Sequence, residues 1–282
     1  MNPPTTAFVL GGAGNMGAVH LGMLRALLER RVVPDLVVGC SAGALNGGAI
    51  ASAPTLATLA RLEALWSDLT RRDVWPAGTM ASAVALLRHG PAVNTNVGLR
   101  RVVERFLPGA SFGDLEVPFA CVATSLVTGS ERWFSEGPLV EAVLASSALP
   151  GLLPPVEIDG EAFIDGATVC IVPVAKALEL GATRLFILQL KDLDAIPSAP
   201  RRPLDVVQRA FAISRNARFV HEMANLPPGV EAHVLPTVAW PRFRYDGFSR
   251  TLELVERAHA AAAAYLRAHD IGRTPEGDAN RR

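Results

Sequence analysis

Short, uninterrupted apolar runs alternate with amphipathic segments along most of this chain. Residues 7–10 and 36–38 are apolar runs that each stop at a glycine, whereas Leu21, Leu24 and Leu28 recur on one face of the segment between them. Continuous apolar strands separated by amphipathic helices are typical of a parallel sheet that is covered on both faces. The pattern therefore predicts an α/β fold.

The alternation continues along the rest of the chain. Residues 54–107 have a helical pattern that is interrupted by turns at 75–78 and 89–91. Further strands are predicted at residues 119–125, 132–134, 161–164, 184–190 and 231–235. Further helices are predicted at residues 138–147, 173–180, 201–225 and 249–269.

Composition and charge restrict the classes of function. The 282 residues are 50% apolar and 19% charged, which is enough for one large core. The 27 basic and 27 acidic side chains cancel, whereas nucleic-acid-binding domains are usually strongly basic. We therefore expect no nucleic acid as a partner.

The cysteines and the apolar segments bear on the compartment. Cys40, Cys121 and Cys170 are too few and too far apart for a disulfide framework or a zinc site, and an odd number of thiols is typical of a reducing compartment. The sequence shows neither a signal peptide nor an apolar run of about 18 residues. We expect a cytoplasmic protein without a metal site.

A glycine turn, residues 12–17, connects the first strand to the first helix. Gly12, Gly14 and Gly17 match the dinucleotide-binding fingerprint, but that site needs an acid at the end of the second strand, and Asp35 lies at its beginning. Backbone N–H groups of such a turn also stabilise a transient oxyanion. The residues alone leave open an oxyanion hole, a cofactor site and a plain strand-to-helix turn.

A serine elbow, residues 39–43, follows the second strand and opens a helix. Gly39 and Gly43 flank Ser41 in a sharp turn that exposes the serine Oγ at the sheet edge, where the helix N-terminus favours negative charge. The same Gly-x-Ser-x-Gly string recurs at residues 109–113, but it follows a helix end instead of a strand. The context favours Ser41 as a nucleophile over a simple helix N-cap.

A nucleophilic serine needs a proton acceptor. The six histidines (His20, His89, His221, His233, His259 and His269) all lie outside strand-end turns. Asp165 ends a predicted strand and begins an Asp-Gly turn, so its carboxylate is expected at the same sheet edge as Ser41. A Ser-Asp-His triad with His221 or His233, and a purely structural Asp-Gly turn, remain as alternatives.

These blocks occur in an order that resembles the patatin-like phospholipase family. The glycine turn, the elbow and residues 165–167, with residues 145–151 and 154–156 upstream, carry a resemblance that spans about residues 7–190. It implies a three-layer α/β/α fold with a mostly parallel central sheet, hydrolysis of lipid acyl esters and no cofactor.

The resemblance also implies the roles of the site residues. Ser41 and Asp165 correspond to a catalytic dyad that works without histidine. The N–H groups of Gly12, Ala13, Gly14 and Ala42 correspond to the oxyanion hole, and the supporting glycines of the motifs are Gly39, Gly43, Gly17 and Gly166.

Two departures from the family pattern stand out. Ala13 and Met16 occupy positions where the family usually has a glycine and a basic residue, and residues 168–173 lack the asparagines usual before the proline. We expect lower activity or an altered headgroup preference from the first departure, and weaker support of the Asp165 loop from the second.

The resemblance divides the chain and suggests its partners. Residues 1–200 are predicted to form the catalytic domain, 201–272 an extension on the same core, and 273–282 a frayed tail. The apolar helices of 54–107, including Met80, Val84, Leu86 and Leu87, cover either an acyl groove or only the core.

Aromatic and arginine residues interleave at 240–245, ahead of Phe248. Such a stretch suits a lipid surface, single-stranded nucleic acid or a structured loop. We expect a lipid or ester substrate and reversible contact with a lipid surface. A relative without catalytic activity remains a further alternative.

Overall fold

The alternating segments fold into a single sheet with helices on both faces. The computed structural model describes residues 5–74, 92, 94–107, 111–190, 203–237, 248 and 250–272. The strands are β1 (Thr6–Leu10), β2 (Leu36–Cys40), β3 (Phe119–Ser125), β4 (Glu131–Phe134), β5 (Val156–Ile158), β6 (Glu161–Asp165), β7 (Arg184–Leu188) and β8 (Glu231–Val234). The helices are α1 (Ala18–Glu29), α2 (Ala42–Ser52), α3 (Leu56–Asp68), α4 (Arg71–Val74), α5 (Val97–Phe106), α6 (Leu139–Ser146), α7 (Val174–Glu179), α8 (Pro203–Ala224) and α9 (Thr251–Ala268). Turns of 3₁₀ helix lie at Gly14–Gly17, Phe112–Asp114 and Gly166–Thr168.

Five parallel strands form the centre of the sheet, in the order β3-β2-β1-β7-β8. Alternate residues of β1 face opposite layers, as the pleat requires. Phe8 and Leu10 pack with α1, α2, α3, α5, α6 and α9, whereas Ala7 and Val9 pack with α7 and α8. The predicted α/β/α fold with a mostly parallel sheet is confirmed.

The antiparallel strands β4 and β6 both pair with β3 and thereby position the site. β3 pairs with β2 through residues 119–122, with β4 through 121–124 and with β6 through 123–125. Residues 121 and 122 pair with both β4 and β2, and residues 123 and 124 pair with both β4 and β6. Because a strand residue has one neighbouring strand on each side, β2 and β6 lie together on the side of β3 opposite β4. They run toward each other there. β2 ends at Cys40, level with Val122, and β6 ends at Asp165, level with the next residue, Ala123.

The C-terminal part of the described chain joins the same core. β8 extends the sheet beside β7, and α9 packs against α1 so closely that a Cβ at Gly22 would lie 2.2 Å from the carbonyl oxygen of Val255. The boundary at residue 200 stays a prediction, and residues 273–282 lie outside the described residues.

Most predicted elements are found within a few residues of their expected ends. The strand β5 was not predicted, because three residues carry too little pattern. The predicted turns at 75–78 and 89–91 lie outside the described residues. In the part of the chain that the structure describes, no helix combines the length and the apolar character needed to cross a membrane.

Candidate active site

Ser41 forms a strained turn between β2 and α2. Its backbone has φ 55° and ψ −123°, a conformation that residues other than glycine rarely adopt. The N–H of Ser41 donates to the Oγ of Ser146 at 2.9 Å, and its carbonyl oxygen accepts from the N–H groups of Ala44 and Leu45. These bonds hold the turn, and the serine Oγ makes no capping hydrogen bond to α2.

Asp165 lies directly opposite Ser41. The Ser41 Oγ donates to Asp165 Oδ2 at 2.7 Å, and the N–H of Ala167 donates to Asp165 Oδ1 at 2.8 Å. The backbone of Asp165 is fixed by its N–H, which donates to Ala148 O, and by its carbonyl, which accepts from Thr124 Oγ1. The structure thus brings the two residues together as expected. The physical reason differs from the expected one, because β6 is antiparallel and meets β2 end to end.

The environment of Asp165 makes it a stronger base than a free aspartate. Burial raises the pKa of its carboxyl from 3.8 to about 6, against the opposing effects of the hydrogen bonds from Ser41 and Ala167 and of the charge of Arg215. The group is therefore mostly ionised at pH 7 and still accepts a proton readily. Burial also raises the pKa of the neighbouring Cys40 thiol, which keeps that group neutral.

The glycine turn places backbone N–H groups beside Ser41, with one correction. The N–H of Gly12 donates to the carbonyl oxygen of Ile171 at 2.8 Å, so Gly12 was wrongly included among the oxyanion donors. The N–H groups of Ala13, Gly14 and Ala42 make no hydrogen bond within the described part of the chain. Gly14 and Ala42 line the cleft that contains Ser41, and Gly14 has a left-handed φ of 54°.

The four glycines expected to support the motifs occupy positions without room for a side chain. At each of them a Cβ would lie closer than 3.0 Å to another atom, a separation that real Cβ atoms essentially never show. The nearest atoms are Gly43 O at 2.5 Å for Gly39, Leu10 O at 2.2 Å for Gly43, Trp66 Cζ2 at 2.6 Å for Gly17 and Val122 O at 2.2 Å for Gly166. Close packing of the turns therefore explains these glycines.

An apolar cleft opens beside Ser41. Its empty volume, with the open mouth included, is about 510 Å³. Nine apolar side chains larger than alanine line it: Leu45, Trp66, Leu69, Val74, Leu99, Val102, Leu149, Leu153 and Phe248. Gly14, Asn15, Ser41, Ala42 and Ser147 complete the lining, so no charged side chain of the described residues contributes.

The expected groove over residues 54–107 thus has described members on α3, α4 and α5. Met80, Val84, Leu86 and Leu87 lie outside the described residues, as does the stretch 240–245.

The histidines of the described residues are placed elsewhere. None of them hydrogen-bonds to Ser41 or Asp165. Their polar partners include Asn46 for His20, Asn225 for His221, Glu231 and Tyr265 for His233, Glu29 for His259 and Tyr265 for His269. His233 lies on β8, three strands from β2. His89 lies outside the described residues. This arrangement does not favour a Ser-Asp-His triad.

The features of a dinucleotide site do not come together either. Asp35 accepts a hydrogen bond from the N–H of Thr6 at the start of β1, so it lies at the sheet edge opposite the glycine turn. Among the described residues, no three His, Cys, Asp or Glu side chains are arranged to hold a metal ion.

The loop after Asp165 is supported by groups that the sequence did not reveal. Arg218 on α8 donates to the carbonyl oxygen of Val169 at 3.3 Å and forms ion pairs with Glu131 and Glu222. The bond from Gly12 to Ile171 ties the loop to the glycine turn. Ser146 lies within the motif block 145–151, but no sequence signal indicates its bond to the Ser41 N–H. Arg218 had none at all.

Comparison with known proteins matches residues 8–178 to the family model described as Patatin-like phospholipase. An uncharacterized NTE family protein of Mycobacterium bovis is 30% identical over 204 residues, which cover 71% of this chain and 53% of that protein. Lysophospholipase NTE1 of Mycosarcoma maydis is 31% identical over 194 residues, which cover 66% of this chain and 10% of that protein. The chain therefore spans about half the length of the mycobacterial relative and far less of the fungal one.

Two solved structures are distantly similar. VipD from Legionella pneumophila shares 14% identity with a TM-score of 0.49, over 95% of this chain and 67% of that one. ExoU from Pseudomonas aeruginosa, in its complex with SpcU, shares 13% identity with a TM-score of 0.45, over 94% of this chain and 53% of that one. The match of the family model to more than half of the residues settles the question of family. The chain belongs to the patatin-like phospholipase family.

Proposed function

We propose that this protein hydrolyses acyl esters of lipids with Ser41 as the nucleophile and Asp165 as the general base. The observation that carries the proposal is the 2.7 Å hydrogen bond from Ser41 Oγ to a buried carboxylate beside an apolar cleft. Membership of the family and the name of the fungal relative, a lysophospholipase, support a lipid ester as the substrate.

Acylation begins when Asp165 Oδ2 accepts the proton of Ser41 Oγ as this oxygen attacks the ester carbonyl carbon. The carbonyl oxygen becomes negative, and the N–H groups of Ala13, Gly14 and Ala42 donate to it. When the C–O bond to the alcohol breaks, Asp165 returns the proton to the leaving oxygen. The products of this step are the free alcohol and acylated Ser41.

Deacylation repeats the sequence with water. Asp165 accepts a proton from water as the water oxygen attacks the acyl carbon, and the same N–H groups stabilise the second oxyanion. The bond between the acyl carbon and Ser41 Oγ then breaks, and Ser41 recovers the proton from Asp165. The fatty acid leaves, and both residues return to their starting protonation states.

The magnitudes of these effects fit the arrangement. A positioned general base raises the catalytic rate by roughly 10²–10⁴-fold, and each oxyanion donor raises it by roughly 10²–10³-fold. Arg218 supplies one bond to the Asp165 loop, which lacks the asparagines usual in the family. Met16, where the family usually has a basic residue, adds no positive charge near the oxyanion.

The cleft favours an acyl chain over a charged group. Its lining of apolar side chains buries methylene groups, each worth about 0.8 kcal/mol. No cation of the described residues lines it to bind a phosphate. We propose that the acyl chain enters this cleft while the headgroup stays outside, and that the protein contacts lipid surfaces reversibly.

Hydrolysis of two esters tests the proposal, with 1-palmitoyl-lysophosphatidylcholine and p-nitrophenyl butyrate as probes. We expect Ser41→Ala to abolish release of fatty acid and of nitrophenol. Ser111→Ala is the matched control, because Ser111 occupies the same position in the second Gly-x-Ser-x-Gly string, and it should retain wild-type kcat/KM. Equal activity of Ser41→Ala and wild type, or no activity of wild type on either ester, would refute the proposal.

Replacement of His233 by alanine tests the triad that would use this histidine. His233 is held by Glu231 and Tyr265, so its loss should leave kcat within about three-fold of wild type, far below the roughly 10²-fold or more that loss of a general base costs. A collapse of activity in His233→Ala, with the protein still folded, would favour the triad.

A further inference from the structure

A buried polar network lies beneath the site and is not part of the proposed chemistry. Asn46, on α2, is fully buried one helical turn after Ala42. Its Nδ2 donates to the carbonyl oxygen of Gly17 at 2.9 Å, and its Oδ1 accepts from the indole Nε1 of Trp66 at 2.8 Å. One side chain therefore connects α2, the glycine turn and α3.

The partners of Asn46 fix its orientation. An indole N–H can only donate, so the amide oxygen must face Trp66 and the amide nitrogen must face Gly17. The second N–H of that nitrogen points toward Nδ1 of His20 at 3.4 Å. Burial lowers the pKa of His20 to about 4, so this imidazole is neutral, and its Nδ1 accepts in the tautomer that carries the proton on Nε2. The amide has no alternative arrangement that satisfies all three partners.

The network bears directly on the oxyanion pocket, whose donors come from two separate elements. Ala13 and Gly14 belong to the glycine turn after β1, whereas Ala42 belongs to the elbow after β2. Gly17 ends the turn and lies against both the Trp66 ring and Ala42, since a Cβ at Gly17 would be 2.6 Å from the ring and 3.0 Å from Ala42 Cβ. Asn46 thus holds the turn, the elbow and the ring in one geometry.

We infer that Asn46 is a positioning residue that sets the distance between the two sets of oxyanion donors. The inference rests on the proposed hydrolysis and adds to it a residue that touches neither substrate nor nucleophile. A donor misplaced by about 1 Å can cost roughly 10² in rate. Asn46 does not itself line the cleft, although its partner Trp66 does, so the loss should appear mainly in kcat and change KM much less.

The test compares Asn46→Leu with wild type, using p-nitrophenyl butyrate. Active sites are counted by titration with a fluorophosphonate, so that kcat refers to folded, labelled protein only. We expect kcat per titrated site to fall about 10- to 100-fold with KM within about three-fold. Asn96→Leu is the matched control, because Asn96 also donates to a backbone carbonyl, that of Pro154, and neither residue lines the cleft; its kcat per site should equal that of wild type.

A second pair of variants separates positioning from a simple packing defect. Asn46→Leu leaves the Trp66 N–H without an acceptor, so Trp66→Phe and the double variant are measured together. We expect the double variant to remain at least ten-fold slower per site than Trp66→Phe alone. Equal rates of these two proteins would show that the loss of kcat comes from the Trp66 N–H left without an acceptor, and would overturn the inference. If Asn46→Leu is not recovered folded, Asn46→Ser undergoes the same measurements.

The outcomes distinguish this inference from the proposed function. If wild type is labelled and active but the kcat per site of the Asn46 variant is unchanged, only the positioning role of Asn46 is refuted. Wild type that is neither labelled nor active refutes the hydrolase itself.

Discussion

Replacement of Asp165 by asparagine should make the protein inactive and more stable at the same time. The carboxyl has its pKa raised from 3.8 to about 6 by burial, so it binds its proton more tightly in the folded chain than in the unfolded one. Ionisation therefore opposes folding. This cost is absent below pH 3.8, grows as the pH rises and is complete above about pH 6.

The size of the effect follows from the same values. At about 1.4 kcal/mol per pH unit, a rise from 3.8 to about 6 corresponds to about 3 kcal/mol at pH 8 and to about half of that at pH 5. Asparagine carries no charge at either pH, and its amide can still donate to Ser41 Oγ and accept from the Ala167 N–H. The variant should therefore gain this free energy of unfolding while kcat falls by roughly 10²–10⁴.

Urea unfolding of wild type and Asp165→Asn at pH 8 and pH 5, followed by tryptophan fluorescence, measures the difference. The account predicts a more stable variant at pH 8 and a smaller advantage at pH 5. A variant no more stable than wild type at pH 8, or an advantage equal at the two pH values, would refute the reasoning that desolvation controls this carboxylate.

Three further predictions follow from the geometry. The kcat/KM of wild type should fall about ten-fold per pH unit below about pH 6, because the base must be ionised, and an acid limb near pH 4 would contradict the raised pKa of Asp165. Ser41→Gly should have a free energy of unfolding about 1 kcal/mol higher than that of Ser41→Ala in a urea titration. Both variants lack the hydroxyl, but a φ of 55° is strained for alanine and not for glycine, so the opposite order would show that the elbow is unstrained. Gly166→Ala should lower the free energy of unfolding by roughly 1–3 kcal/mol or more, because its Cβ would lie 2.2 Å from Val122 O. The control is Gly113→Ala, whose Cβ would have its nearest neighbour at 3.6 Å and whose free energy of unfolding should stay within about 0.5 kcal/mol of wild type. Equal stabilities of the two variants would contradict the packing of the Asp165 turn.

The periodicity of the sequence was sufficient to predict the layers of the fold. Apolar runs such as β1 and β2 are buried on both faces, so their composition reports directly on a covered parallel sheet. The short strand β5 was not predicted, because three residues are too few to show an alternating pattern. The direction of β6 was not predictable either, since an isolated strand has the same pattern whether it runs parallel or antiparallel to its neighbour.

Local motifs located Ser41 and Asp165, because an elbow and an Asp-Gly turn follow chain-local rules. The partners that hold them were not predictable. The bond from Ser41 N–H to Ser146 joins residues 105 positions apart, and Asn46 contacts Gly17 and Trp66 from a third element. Gly12 was misassigned for the same reason, since its N–H is occupied by Ile171, a residue that no local pattern brings near.

Labelling with a fluorophosphonate, followed by peptide mass spectrometry, tests most directly whether Ser41 is an activated nucleophile. The account predicts a single adduct on Ser41 in wild type, none in Ser41→Ala, and labelling that is slower by roughly 10²–10⁴-fold in Asp165→Asn. An adduct on any other residue, or labelling of Ser41 that does not depend on Asp165, would contradict it.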